Sequence, residues 1–274
     1  MGDSIIVSGE LTNEKWVESR LNLASLSDVI MPVKPNDAPF VPPPLVLPRL
    51  GDLQLHYDTR EQGDLSIIED VISGENMTRI SMLDFPYNAS PPSVDLVSST
   101  GARNLSVPTA RIRLNDDGIQ TMMFLMNPVS ASNNQYALDY GTNGNSILLG
   151  FTAADAWEFF VGIGDYVGDD PRPGTAIAAV AGDWQTVCYV VSVDGANKLN
   201  GYFNGSLSVG PLNKTFNLVQ PAAVLDIGHV GLAAGFTGGF GAWLQWTTAL
   251  TAAEVAQAHN FLRAIDAGYG LPEA

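Results

Sequence analysis

An intrachain disulfide is closed to this chain, because Cys188 is its only cysteine. It sits in the apolar run 187–193 and reads as a small buried hydrophobe. Charge is scarce as well. Asp, Glu, Lys and Arg supply 15% of 274 residues, against about 25% in typical globular proteins. The surface must therefore take its polarity from Asn, Ser, Thr, Gln and the backbone. Basic residues are the rarer sign, with 13 Lys and Arg against 29 Asp and Glu and a net charge of −16. That field repels phosphate backbones and disfavours nucleic-acid binding. No apolar run approaches the ~18 residues that would span a bilayer, so membrane insertion is not expected. His56, His229 and His259 are far apart, and no His-x-x-x-His or Glu-paired motif suggests a transition-metal site. Gly-x-Ser-x-Gly is missing too. The chain opens without a basic region, apolar core and cleavage site, so it is expected to be made in a cytoplasm without a secretory signal. The five Asn-x-Ser/Thr sequences, at Asn76, Asn88, Asn104, Asn204 and Asn213, then read as loop chemistry.

What is present suffices for a core. Hydrophobic residues make up 46%, enough for one large β domain or two small ones. Residues 1–50 stand apart. Asn13 can cap a short helix carrying Trp16, Val17, Leu21 and Ala24, and Pro32, Pro35, Pro39, Pro42, Pro43, Pro44 and Pro48 follow. Proline at that density predicts a stiff, extended arm. Val33, Phe40, Val41, Leu45, Val46 and Leu47 make the arm apolar. It should therefore lie in a groove of its own domain or dock on a partner.

From Gly51 onward the pattern is β. Leu53, Leu55 and Tyr57 alternate with Gln54 and His56. Further strands are predicted at 78–85, 106–114, 119–126, 145–151, 157–163, 184–193, 199–203 and 223–229. Turn signals at 115–118, 142–145 and 194–195 separate several of them. The last segment predicts a glycine-rich turn, a strand over 240–247 and a helix. Thr251 and Glu254 form a capping box, while Val255, Ala258, Phe261, Leu262 and Ile265 recur on one face. Gly268 and Gly270 are expected to end that helix, and His259 falls beside its apolar face as a packing or surface residue. Many short strands with one strong helix indicate an all-β sandwich or barrel.

Three stretches in the right order resemble laminin-G-like, or concanavalin A-like, jelly rolls. Gly51-Asp52-Leu53-Gln54-Leu55-His56-Tyr57-Asp58 is similar to an opening strand. Gly182-Asp183-Trp184-Gln185-Thr186-Val187 with Gly201-Tyr202-Phe203-Asn204-Gly205 is similar to a central hairpin, and the strand and helix of 236–271 to the closing segment. The resemblance implies a concanavalin A-like jelly-roll sandwich over 51–274 with one C-terminal helix, preceded by the Pro-rich arm of 1–50.

The resemblance also implies which sites to look for. The family's glycoside hydrolases carry carboxylates two apart on one strand, as in Glu-x-Asp-x-Glu. No such sequence occurs, and Glu158 is alone in its strand, so no catalytic residue is assigned and the chain is not expected to be an enzyme. Many such jelly rolls hold calcium at the rim through carboxylates and carbonyls. Asp165, Asp169 and Asp170 in the loop 164–174 are the candidates; the other reading is an acidic solvent loop. Asn133, Asn134, Tyr136, Tyr140 and Asn143 supply the aromatic and amide groups of a glycan site, or else pack and turn the chain. Three functions follow in order of expectation. The first is a structural accessory (decoration, fibre or tail) protein of a tailed-phage virion. It would be homo-oligomeric, attached to other virion proteins through residues 1–50 and displaying the jelly roll outward. The second is a carbohydrate-binding adhesion module for host surface glycans. The third is a polysaccharide-cleaving enzyme, disfavoured by the missing acid pair.

Overall fold

The run Met122-Met123-Phe124-Leu125-Met126 shows how the fold is organised, because alternate residues of a strand face opposite ways and here both sets are apolar. Such a strand needs cover on both faces, and the computed structural model supplies it. It describes residues 46–59, 67–68, 70–72, 77–79, 87–96, 105–107, 119–129, 135–140, 147–151, 156–161, 177–193, 197–213, 225–227 and 234–274. The helix and Pro-rich arm expected within residues 1–45, and the turns expected at 115–118, 142–145 and 194–195, lie outside the described residues.

In chain order the strands are β1 (Leu53–Asp58), β2 (Ile67–Ile68), β3 (Met77–Arg79), β4 (Tyr87–Ala89), β5 (Pro92–Leu96) and β6 (Leu105–Val107). Next come β7 (Gln120–Pro128), β8 (Gln135–Tyr140), β9 (Ile147–Phe151), β10 (Ala156–Val161), β11 (Ile177–Ala178) and β12 (Gln185–Val193). The series closes with β13 (Asn197–Phe203), β14 (Ser206–Asn213), β15 (Leu225–Ile227), β16 (Ala234–Gly235), β17 (Gly238–Trp246) and the helix α1 (Ala252–Ile265). One sheet runs β14-β13-β12-β7-β17-β5-β4, with β1 also paired to β17. The other runs β11-β10-β9-β8-β15-β6-β3-β2, with β16 on β8. Apart from the parallel β16–β8 pair, the described ladders are antiparallel. This is the all-β, jelly-roll-like sandwich with one C-terminal helix that the sequence predicts.

Between the sheets, Met122, Phe124, Met126, Val187, Tyr189, Val191 and Trp243 meet Ile68, Met77, Trp157, Ile177 and Ile227. On the outer face of the first sheet, Met123, Leu125, Cys188, Val190, Leu244 and Trp246 pack under Val255, Ala258 and Leu262 of α1. The helix is thus a third layer, and it makes β7, β12 and β17 two-sided. Strand β17 also carries a bulge: its register against β7 shifts between Phe240 and Ala242. The extra residue lets Phe240 and Trp243, three apart, both reach the inter-sheet core.

The start of α1 follows the sequence expectation. Glu254 N–H donates to Thr251 Oγ1 at 3.3 Å, and Thr251 N–H donates to Glu254 Oε2 at 2.7 Å. Its buried stripe is different. Val255, Ala258, His259 and Leu262 are buried, whereas Phe261 and Ile265 are only partly covered. The helix end also differs. The chain leaves α1 extended at Asp266 (φ −151°), whose carboxylate accepts from Gly268 N–H, and Gly270 (φ 59°) closes a separate 3-10 turn, Ala267–Tyr269. That turn carries Tyr269 back into the outer core, which a glycine cap directly after the helix would not do. The predicted glycine-rich turn before the last strand is likewise strand: Gly238 and Gly239 pair with β7 and β5.

Residues 46–50, which the sequence reading assigns to the arm, are held by the sandwich. Leu47 is buried in the outer core, Pro48 O accepts from Trp246 Nε1 at 2.9 Å, and Val46 O accepts from Gln257 Nε2 at 2.7 Å. Arg49 Nε donates to Glu254 Oε1 at 2.6 Å, and this guanidinium holds the Glu254 carboxyl below its usual value.

Candidate functional site

Three segments converge where β12 begins. The first is the connection from β11, held by Gln185. This buried amide accepts from Trp157 Nε1 at 3.0 Å and donates to Val180 O at 2.8 Å and Asp183 O at 3.2 Å. With Gln185 consumed in this way, Asp183 is left exposed and Trp184 half-buried. The second segment is the Asn204-Gly205 turn between β13 and β14. Both residues are left-handed (φ 47° and 79°), as a two-residue hairpin with a primed turn requires. Asn204 Oδ1 accepts from Thr186 N–H at 2.9 Å, and Asn204 N–H donates to Thr186 O at 2.9 Å. The third is the C-terminal tail, anchored where Tyr269 donates its hydroxyl to Pro92 O.

Between them lies a cleft of about 440 Å³, with Asp183, Trp184, Phe203, Asn204, Tyr269 and Pro272 in its lining. Trp184 can lie there because β17 is glycine beneath it. A Cβ on Gly239 would come within 2.6 Å of the indole, and one on Gly241 within 3.3 Å. Tyr269 meets the indole edge-on at 4.9 Å between ring centroids. Among the described residues of the lining, Asp183 is the only formally charged one.

His259 braces the tail wall. Its Nδ1 is 2.7 Å from Thr186 Oγ1 and its Nε2 is 2.9 Å from Pro272 O. A carbonyl can only accept, so Nε2 carries the proton and Nδ1 accepts from the hydroxyl. Burial pushes the imidazole pKa down, which keeps the ring neutral. A second buried polar group lies under α1: His56 Nε2 is 3.4 Å from Asp58 Oδ2, and the His56 ring meets Phe261 edge-on. Both side chains are almost fully covered, so this pair belongs to the packing.

Of the residues nominated from sequence, the described ones, Tyr136 and Tyr140, are not among those lining this cleft. Tyr136 and Tyr140 lie on β8, opposite Gly150 and Ile147 of β9, with a register shift between Tyr136 and Leu138. Asn133, Asn134, Asn143 and the calcium candidates Asp165, Asp169 and Asp170 lie outside the described residues, as does His229. Glu158 lies on β10 opposite Gly150. Among the described residues, no group of three or more His, Cys, Asp or Glu is placed to hold a metal ion, and no helix is long and apolar enough to cross a membrane. In the sequence Asp183, Trp184 and Asn204 stand out only as hairpin residues. The available signal was glycine at alternate positions 239 and 241, which leaves room over one strand face for a large ring.

No protein-family model matches the sequence, and no curated protein does. Solved structures share the fold. Domain 4 of AbnA, a GH43 extracellular arabinanase from Geobacillus stearothermophilus, solved with arabinotriose, aligns over 77% of this chain and 98% of that domain (TM-score 0.54, 15% identity). The binding domain of botulinum neurotoxin DC in complex with SialylT aligns over 77% of this chain and 51% of its own length (TM-score 0.57, 13% identity). Trypanosoma rangeli sialidase with the inhibitor DANA aligns over 92% of this chain, which spans 38% of the sialidase (TM-score 0.54, 15% identity). These likenesses establish a β-sandwich of the jelly-roll kind.

Proposed function

We propose that the chain is a non-catalytic carbohydrate-binding module. The observation that carries this reading is the cleft at the start of β12, where an indole, an amide and a carboxylate share one opening. A pyranose offers a C–H face that packs on an aromatic ring and hydroxyls that pair with amides and carboxylates. The likeness to domains solved with saccharides supports the same reading. Among its described lining residues the cleft holds a single carboxylate, which favours binding over cleavage, since glycoside hydrolysis ordinarily employs two. The module is compatible with display on a virion. In that setting the apolar, Pro-rich N-terminal segment would serve attachment and the sandwich would bind the sugar.

The test is a glycan array probed with the full chain, followed by calorimetry on the glycans retained. Trp184→Ala should abolish binding while the protein still unfolds cooperatively. Failure to retain any glycan at micromolar protein would overturn the proposal. Release of reducing ends from a retained glycan would replace it with the enzyme reading.

A further inference from the structure

We infer that the cleft accepts neutral or amino-bearing sugars and rejects those carrying a carboxylate; this rests on the carbohydrate reading and narrows its ligand. The groups in the lining set this preference. Sugar carboxylates are normally received by a guanidinium, an ammonium or a cluster of free N–H donors. Among the described residues the lining contains no Lys, Arg or His, and its charged side chain is that of Asp183, itself exposed.

The neutral donors are limited too. The Gln185 amide nitrogen is bonded to Val180 O and Asp183 O, and the Tyr269 hydroxyl is bonded to Pro92 O. The side-chain donors that remain among the described lining residues are the Asn204 Nδ2 group and the Trp184 indole N–H, each suited to a hydroxyl or acetamido oxygen. Asp183 can accept from two adjacent hydroxyls or from a sugar ammonium. The molecule's field acts in the same direction: with a net charge of −16, an approaching anion is repelled before it docks.

The experiment uses the full chain on an array printed with neutral oligosaccharides, their sialylated or uronate-bearing counterparts, and glucosamine oligomers. Calorimetry then follows on matched pairs at low and high salt. The acidic member of each pair should bind about tenfold or more weakly at low ionic strength, and the gap should narrow as salt screens it. Asp183→Asn should shrink the discrimination, and Asp183→Lys should reverse it. Asp183 is exposed, so neither change should disturb folding, and an unchanged melting curve checks this. Equal binding of neutral and acidic partners overturns the inference and leaves the carbohydrate reading standing. Selectivity that ignores both Asp183 variants shows that sugars bind elsewhere, with β8 and its two tyrosines the next place to look. No binding to any glycan removes both.

Discussion

At the residue scale, the cleft depends on atoms that are missing. Gly239 carries no side chain where one would collide with Trp184, and the indole cannot retreat freely because Tyr269 abuts it. Gly239→Ala should therefore cost about 1–3 kcal/mol of stability by overpacking. It should weaken glycan binding in the same protein, since the ring that moves is the ring that binds. Denaturant melts and titrations on one preparation check both effects, and a stable variant that no longer binds would mean the ring moves without strain. His259 makes a second prediction. Its folded pKa lies below the ordinary histidine value of about 6.5, so between the two values the unfolded chain holds more protons than the folded one. Stability from this residue is complete above the unfolded pKa and is lost as the pH falls toward the folded one. The loss of melting temperature on acidifying from pH 7.5 should be smaller in His259→Gln, after subtraction of the background common to both proteins. Parallel curves would show that the imidazole is not held neutral.

At the element scale, α1 is a lid over the outer face of the first sheet, and its energetics follow its observed stripe. Leu262 is fully buried and Phe261 is not, so Leu262→Ala should cost about 2–5 kcal/mol and Phe261→Ala less than that. Aromatic size alone would order them the other way, which makes the pair diagnostic in urea unfolding. The capping box adds a smaller contribution. Thr251→Ala removes the acceptor for the Glu254 N–H and should cost about 1 kcal/mol. A drop far beyond that would imply that the Arg49–Glu254 contact fails together with the box.

At the scale of the whole molecule, residues 46–50 pack with the sandwich although the composition changes only at Gly51. A chain of residues 46–274 should melt close to the full chain. One of residues 51–274 forfeits the burial of Leu47, about 1.5–3 kcal/mol, and should melt lower by roughly 3–12 °C. We propose that the residues before 46 serve attachment. The 46–274 chain should then fold and bind glycans yet fail to join the parent assembly. If it joins as well as the full chain does, the attachment role passes to the sandwich.

Local pattern alone determined much of this protein. The capping box, the Asn204-Gly205 turn, the tryptophan-led strand and the final strand–helix pair each depend on residues within a few positions of one another. Backbone sterics and hydrogen bonding act at that range, so these features were legible in the sequence. Strands such as β5, which opens on Pro92, and β14, which contains Gly210-Pro211 at the edge of its sheet, carry no such local pattern. Their pairing comes from neighbours. The stripe of α1 was only half legible, because whether Phe261 or His259 is buried depends on which strands lie beneath the helix. The cleft left only a faint trace in the sequence, glycine at 239 and 241, and nothing local says which ring fills that space. It exists because β17 places two glycines under Trp184, while Pro92 anchors Tyr269 and His259 holds Pro272. Those contacts join segments far apart in the chain, and only packing in three dimensions could bring them to one opening.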